Sequence, residues 1–313
     1  MRIVFFGSSH FAVPALEALI KSRQEICAVV TQPDRKKGRH LRLGQTDVKA
    51  VAKTAGLDIF QPEDVNSPAS LKYLKARGAD IFVVVAYGQI LSQEVLDIPR
   101  IFSLNIHASL LPKYRGAAPV NWAVISGERS TGVTIIRLIR KMDAGPMLAQ
   151  KAIPIVKNDD SMVLEEKLRK LGAELLVSSL KEIKEKSYKL TDQDENRSIM
   201  APKLKKSDGE IDWDKPVIQI YNLVKGCLPW PSAFTHYKNK LLKIYRAEIS
   251  PQAGGLTGSS GEVLSIHKDW LEVMAGDGSI LIKELQLEGG KRMPAGEFIH
   301  GHKIKAGDRF GKK

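Results

Sequence analysis

Cysteine is nearly missing from this chain: Cys27 and Cys227 are the only two in 313 residues. Their number and separation exclude a disulfide-stapled scaffold and offer no thiolate metal-ligand spacing, so a reducing, cytoplasmic setting is expected. Long apolar runs are missing too. The best, Ile81 to Ala86, has the length of a strand and not of a bilayer span. The opening Met-Arg-Ile-Val-Phe-Phe-Gly lacks the apolar core and cleavage site of a secretory signal, so neither membrane attachment nor export is expected. The first strand-to-helix turn, Phe6-Gly7-Ser8-Ser9-His10, lacks the further glycines of a dinucleotide fingerprint, which argues against a dehydrogenase. Negative charge is the last shortage. Asp plus Glu number 35 against 48 Lys plus Arg, a formal net charge of +13, which points to a polyanionic partner, nucleic acid ahead of membrane phosphates. His300 and His302 form a His-x-His pair that reads as surface, and no metal is expected.

What is present is ordinary globular composition, 43% hydrophobic and 27% charged, in a chain long enough for about two hydrophobic cores. Short β-rich runs at Ile3 to Phe6, Ile26 to Thr31, Ile81 to Ala86 and Ile101 to His107 alternate with helical patterns at Ala15 to Lys21, Asp47 to Ala55 and Leu71 to Ala76. That alternation predicts an α/β domain with a Rossmann-like, mostly parallel sheet and helices on both faces. Thr131 to Ile139 and Met147 to Val156 add two strands whose short connection requires one of them to run antiparallel. A long amphipathic helix follows from Ser161 to about Lys186, with Leu164, Leu168, Leu171, Leu175 and Leu176 on one face.

Periodicity is then lost over a polar stretch. The expected division is an α/β domain over 1–189, a linker over 190–209 and a C-terminal domain over 210–313. In the last, a helix near Pro216 to Gly226 precedes five short strands: Phe234 to Tyr237, Leu241 to Ile249, Gly261 to Ile266, Leu271 to Met274 and Ile280 to Leu287. Five strands in so short a span suit a small β-barrel, an OB-like barrel among others.

Two groups of residues carry candidate chemistry. Pro33 to Arg42 reads as a glycine-containing loop at the carboxyl end of a strand, where open α/β sheets bind ligands. Its Arg35, Lys36, Lys37, Arg39 and Arg42 suit phosphate contacts, although a solvated surface loop explains such a charge run equally well. The second group is Asn105, His107 and Asp143. Asn105 and His107 alternate with Leu104 and Ile106 and so share one face of a strand end, while Asp143 lies in a turn between strands. An amide, an imidazole and a carboxylate together suit oxyanion stabilisation and proton movement.

At these residues a family resemblance becomes specific. Asn105-Ile106-His107-Ala108-Ser109-Leu110-Leu111-Pro112, then Tyr114-Arg115-Gly116-Ala117-Ala118-Pro119 and Met142-Asp143-Ala144-Gly145, resemble the formyltransferases that use 10-formyltetrahydrofolate, and among them the methionyl-tRNA formyltransferases. Gln32-Pro33-Asp34-Arg35, Val83 to Gly88, Ile211-Asp212-Trp213 and Pro229-Trp230-Pro231 follow the same family in the same order. The chain departs from it at Gly7-Ser8-Ser9-His10, where Gly-Thr-Pro and an acid are common, and at Pro146, where Asp is common.

The resemblance implies transfer of a formyl group from 10-formyltetrahydrofolate, without a metal, to the α-amine of methionyl initiator tRNA. It implies Asn105, His107 and Asp143 as the catalytic set. It implies Ser109, Leu110, Leu111 and Pro112, with Tyr87, Gly88 and Ile90, around the folate, and Arg35, Lys36, Lys37, Arg39 and Arg42 on the tRNA. A cytoplasmic monomer is expected. Two rival readings remain: a related enzyme formylating a sugar amine or a small nucleotide, and a non-catalytic RNA-binding protein in which the trio has no role.

Overall fold

A computed structural model describes residues 1–37, 42–251 and 257–311. The chain divides into two compact units, one of residues 1–119, 130–154 and 165–201, the other of residues 120–129, 155–164 and 202–313.

The first half of the chain runs β1 (Arg2–Gly7), α1 (Val13–Lys21), β2 (Glu25–Val30), β3 (Arg35–Lys37), β4 (Arg42–Gly44), α2 (Asp47–Thr54), β5 (Ile59–Phe60), α3 (Pro68–Ala76), β6 (Ile81–Val85), α4 (Gln93–Leu96) and β7 (Phe102–His107). There follow α5 (Pro119–Ile125), β8 (Ser130–Arg137), β9 (Met147–Pro154) and α6 (Ser161–Glu185). Polar residues start several helices: the side chains of Thr46, Ser67 and Ser92 accept the backbone N–H of Lys49, Ser70 and Val95, each cap contributing about 1 kcal/mol.

Seven strands form one sheet in the order β5-β2-β1-β6-β7-β8-β9. Along that order the strands from β5 through β2, β1 and β6 to β7 pair in parallel, and β8 runs antiparallel to β7 and to β9, the turn from β8 to β9 being too short for a parallel crossover. The mostly parallel sheet expected from the alternating pattern is therefore present. Strand β5, two residues long, carries too little pattern to be read from sequence. The basic stretch after β2 differs from the expected loop: β3 and β4 pair as a small antiparallel ribbon.

Register fixes which side chains reach which face. Val84 of β6 lies beside Asn105 of β7, and Val84 belongs to a buried cluster with Val4, Phe6, Phe82, Leu74 of α3 and Val95 and Leu96 of α4. Each such apolar side chain contributes about 1.5–3 kcal/mol on burial. The opposite face is covered by α6, where a Cβ on Gly172 would come within 2.8 Å of Ile106. Asn105 and His107 therefore share the face of Val84, as strand alternation requires.

The second unit contains α7 (Val217–Gly226), β10 (Ala233–Tyr237), β11 (Lys240–Ile249), β12 (Val263–Ile266), β13 (Leu271–Met274), β14 (Ser279–Leu287), β15 (Met293–Pro294) and α8 (Ala295–His302). Its antiparallel sheet runs β10-β11-β14-β13-β12, with β15 added on β14. The expected C-terminal domain of short antiparallel strands is therefore present. Trp213 anchors its core, with the indole N–H donated to Thr235 Oγ1 at 3.0 Å.

Candidate active site

Strand β7 ends beside a cavity of about 290 Å³. Val84, Leu96 and Leu138 give it apolar lining, and residues 86–91, Gly116, Ala117, Ile139, Arg140 and Met142 line it too, with Asn105 and Asp143. At its edge Ile90 and Met142 are 74% and 55% exposed, apolar surface waiting for an apolar partner.

His107 is buried next to this cavity, and its Nε2 lies 2.9 Å from the carbonyl oxygen of Tyr114. A carbonyl only accepts, so Nε2 carries a proton and donates it, which leaves Nδ1 as the exchangeable position. Nδ1 faces Asp143 Oδ2 at 3.6 Å, close enough for charge coupling and too long for a hydrogen bond. The same carboxylate oxygen accepts the backbone N–H of Gly116 at 2.9 Å. Asn105 and His107 at the end of β7 and Asp143 from the turn after β8 are thus brought together.

A second layer holds this set, and it comes from the stretch whose lost periodicity predicts a linker. Arg115, 2% exposed, donates from Nε and Nη2 to Gln193 Oε1 at 3.0 and 2.8 Å, and from Nη1 and Nη2 to the Glu195 carboxylate, both at 3.0 Å. Gln193 Nε2 donates to the carbonyls of Asp143 and Gly145 at 2.8 and 2.7 Å. Backbone bonds join Arg115 to Ile199 and Ala201. Residues 191–201 are therefore part of the first unit. Hydrogen bonds from Arg115 first, then from Lys141, hold the Glu195 carboxyl down to about 2. A carboxyl depressed on folding adds stability above its ordinary value of about 4.3 and loses it as the pH falls toward 2, so this tie stays charged near neutrality.

Two glycines fit these loops together. A Cβ on Gly145 would lie 1.8 Å from the Arg137 carbonyl oxygen, and one on Gly116, whose φ is +125°, would lie 2.6 Å from that of Ala201. Backbone cannot yield as a flexible side chain does. Gly145→Ala is therefore expected to cost about 1–3 kcal/mol, read as a fall of several degrees in the thermal midpoint together with reduced turnover; unchanged values would show that the loop has room.

Other residues proposed from sequence fall differently. The Tyr87 ring is buried edge-on to Phe6, its centroid 5.5 Å away, and burial first, with Asp64, pushes its hydroxyl far up. Tyr87 lines the cavity with Gly88 and Ile90, and its carbonyl accepts the Ser8 hydroxyl at 2.8 Å. Ser109, Leu110, Leu111 and Pro112 do not line this cavity. Their turn is drawn against β8 instead: the Thr134 hydroxyl donates to Ser109 O at 2.6 Å and accepts Leu111 N–H at 3.1 Å. Arg35 is exposed, 3.7 Å from Glu63. Arg39 lies outside the described residues, as do the side chains of Lys36, Lys37 and Arg42. Sequence reasoning missed the roles of Arg115, Gln193 and Glu195, which no periodicity marks.

Residues 1–180 match the family described as formyl transferase, and residues 203–303 match the formyl transferase C-terminal domain. The chain belongs to the formyl transferase family. The expected resemblance to formyl transferases is thereby met. This formyl transferase is 44% identical over 313 residues to a methionyl-tRNA formyltransferase of Citrifermentans bemidjiense, covering 100% of this chain and 97% of that protein. It is also 44% identical over 312 residues to one of Geobacter sulfurreducens, covering 100% and 97%. Among solved structures, the sugar 3N-formyl transferase WlaRD superposes with a TM-score of 0.68 at 20% identity over 93% of this chain and 99% of that one. HypX from Aquifex aeolicus in complex with tetrahydrofolic acid gives 0.64 at 18% identity, over 100% of this chain and 51% of that one. At such identities the likeness is one of fold. Among the described residues there is no cluster of metal-ligating side chains, and no helix is long and apolar enough to cross a membrane.

Proposed function

We propose that this formyl transferase moves the formyl group of 10-formyltetrahydrofolate to the α-amine of methionine carried by initiator tRNA. The observation that carries the acceptor is identity of 40% or more, over essentially the whole chain, to proteins bearing the name methionyl-tRNA formyltransferase. The chemistry rests on Asn105, His107 and Asp143 at the cavity.

The cavity fits the donor. Its apolar lining of Val84, Leu96 and Leu138 suits a flat heterocycle. When bound, the folate supplies a formyl carbon open to attack by an amine. The new C–N bond forms as the bond from formyl carbon to folate nitrogen breaks, and one proton passes from the amine to the departing nitrogen. Asn105 donates its side-chain N–H to the formyl oxygen as negative charge gathers there. His107 carries the moving proton on Nδ1, since Nε2 is committed to Tyr114, and gives a second hydrogen bond when charged. Asp143 faces Nδ1, stabilises the charged ring and relays the proton.

For tRNA, the basic residues Arg35, Lys36, Lys37, Arg39 and Arg42 supply phosphate contacts, consistent with the net charge of +13. The KM for tRNA is expected to rise on the order of 10- to 100-fold between about 50 and 200 mM salt while the folate KM changes little. A flat salt response removes these residues from tRNA binding. The deciding assay measures formyl transfer to methionyl initiator tRNA beside free methionine and an amino-sugar nucleotide. Formylation of the tRNA supports the reading; a product on the sugar alone overturns its acceptor, and no product on any amine overturns its chemistry.

A further inference from the structure

We propose that Gln193 is a positioning residue for formyl transfer, holding the Asp143 loop so that its carboxylate stays on His107. The inference rests on the catalytic reading above and deepens it.

Gln193 has every polar valence of its side chain engaged. Nε2 gives its two hydrogens to the carbonyls of Asp143 and Gly145 at 2.8 and 2.7 Å, and Oε1 receives Nε and Nη2 of Arg115 at 3.0 and 2.8 Å. This pattern fixes the orientation of the amide, because the reverse would set oxygen against two carbonyls and nitrogen against a guanidinium. The amide touches neither His107 nor the cavity; it acts through the backbone of Asp143.

That backbone needs holding. Asp143 has φ of +49°, in the left-handed region that side-chain-bearing residues seldom adopt. Its carboxylate must meet two partners on other segments, the Gly116 N–H at 2.9 Å and His107 Nδ1 at 3.6 Å. Gln193 closes a ring between them. Arg115 carries Gly116 on one side, Gln193 binds the Arg115 guanidinium, and Gln193 returns to Asp143 on the other. Arg115 keeps Glu195 and its backbone bonds to Ile199 and Ala201 without Gln193, and Lys141 keeps its ion pair with Glu195, so the loss of this one amide releases the Asp143 and Gly145 carbonyls and leaves the surrounding fold tied.

Two variants separate the amide's two ends. Gln193→Ala removes both, whereas Gln193→Glu keeps acceptors for Arg115 and loses the donors to Asp143 and Gly145. Both are expected to lower kcat by about 10- to 100-fold with folate KM little changed. A double-mutant cycle reads the path of the effect. In an Asp143→Asn background, adding Gln193→Ala is expected to cost less than about threefold, because the group it positions is already disabled. Losses that simply multiply, or a Gln193→Glu enzyme with parental kcat, overturn the proposal. The cycle is run on whichever amine the parent enzyme formylates, so failure of the tRNA assignment leaves it intact; a parent inert toward every amine overturns the catalytic reading and this inference with it.

Discussion

Asn105→Ala is expected to lower kcat by about 100- to 1,000-fold, the usual cost of losing one preorganised oxyanion donor, with folate affinity changed only a few-fold. Asn105 is paired on both sides, with Val84 of β6 and Ile136 of β8, so the strand that carries it does not depend on its side chain. Its amide opens into the cavity and is not packed in the core, and the alanine variant is expected to fold as the parent does. The loss then falls on the transition state, where charge on the formyl oxygen is greatest, and little on ground-state binding. Single-turnover formylation with saturating folate, beside equilibrium folate binding, checks both halves. Asn105→Asp is a useful companion: its carboxylate occupies the same space without a donor and repels the oxyanion, so it is expected to be at least as slow. Near-parental turnover in Asn105→Ala removes the residue from this role.

The parallel sheet and the positions of Asn105 and His107 were legible in sequence because burial repeats with the pleat. Four of the parallel strands and both antiparallel ones announce themselves as apolar runs, and alternation alone separates Leu104 and Ile106 from Asn105 and His107. Strand β5 and the β3–β4 ribbon were not legible, since strands of two and three residues have no period to show. The site's outer layer was hidden for a different reason. Arg115, Gln193 and Glu195 are joined by side-chain hydrogen bonds across 78 and 80 residues of chain, and a polar stretch that makes such bonds has the same composition as one that makes none. The Ser109 to Pro112 turn shows the converse: a clear motif identifies the family, while the hydroxyl of Thr134 decides where the turn goes.

Asp143→Asn is expected to lower kcat by about 100-fold or more, within the range of general acid–base contributions, and to change the shape of its pH dependence. The substitution preserves size, and an asparagine oxygen still accepts the Gly116 N–H, so the loop keeps that bond. What is lost is charge 3.6 Å from His107 Nδ1. With Nε2 bound to the Tyr114 carbonyl, Nδ1 is the one ring nitrogen able to exchange a proton with the reacting groups, and the carboxylate faces that nitrogen. Losing the carboxylate that relays the proton is expected to alter the shape of the profile and not merely its height. Parallel pH–rate profiles of parent and variant decide the matter. A profile of the same shape at lower rate would leave Asp143 as a holder of Gly116 alone, and the proton would then have to travel from His107 to the departing nitrogen without it.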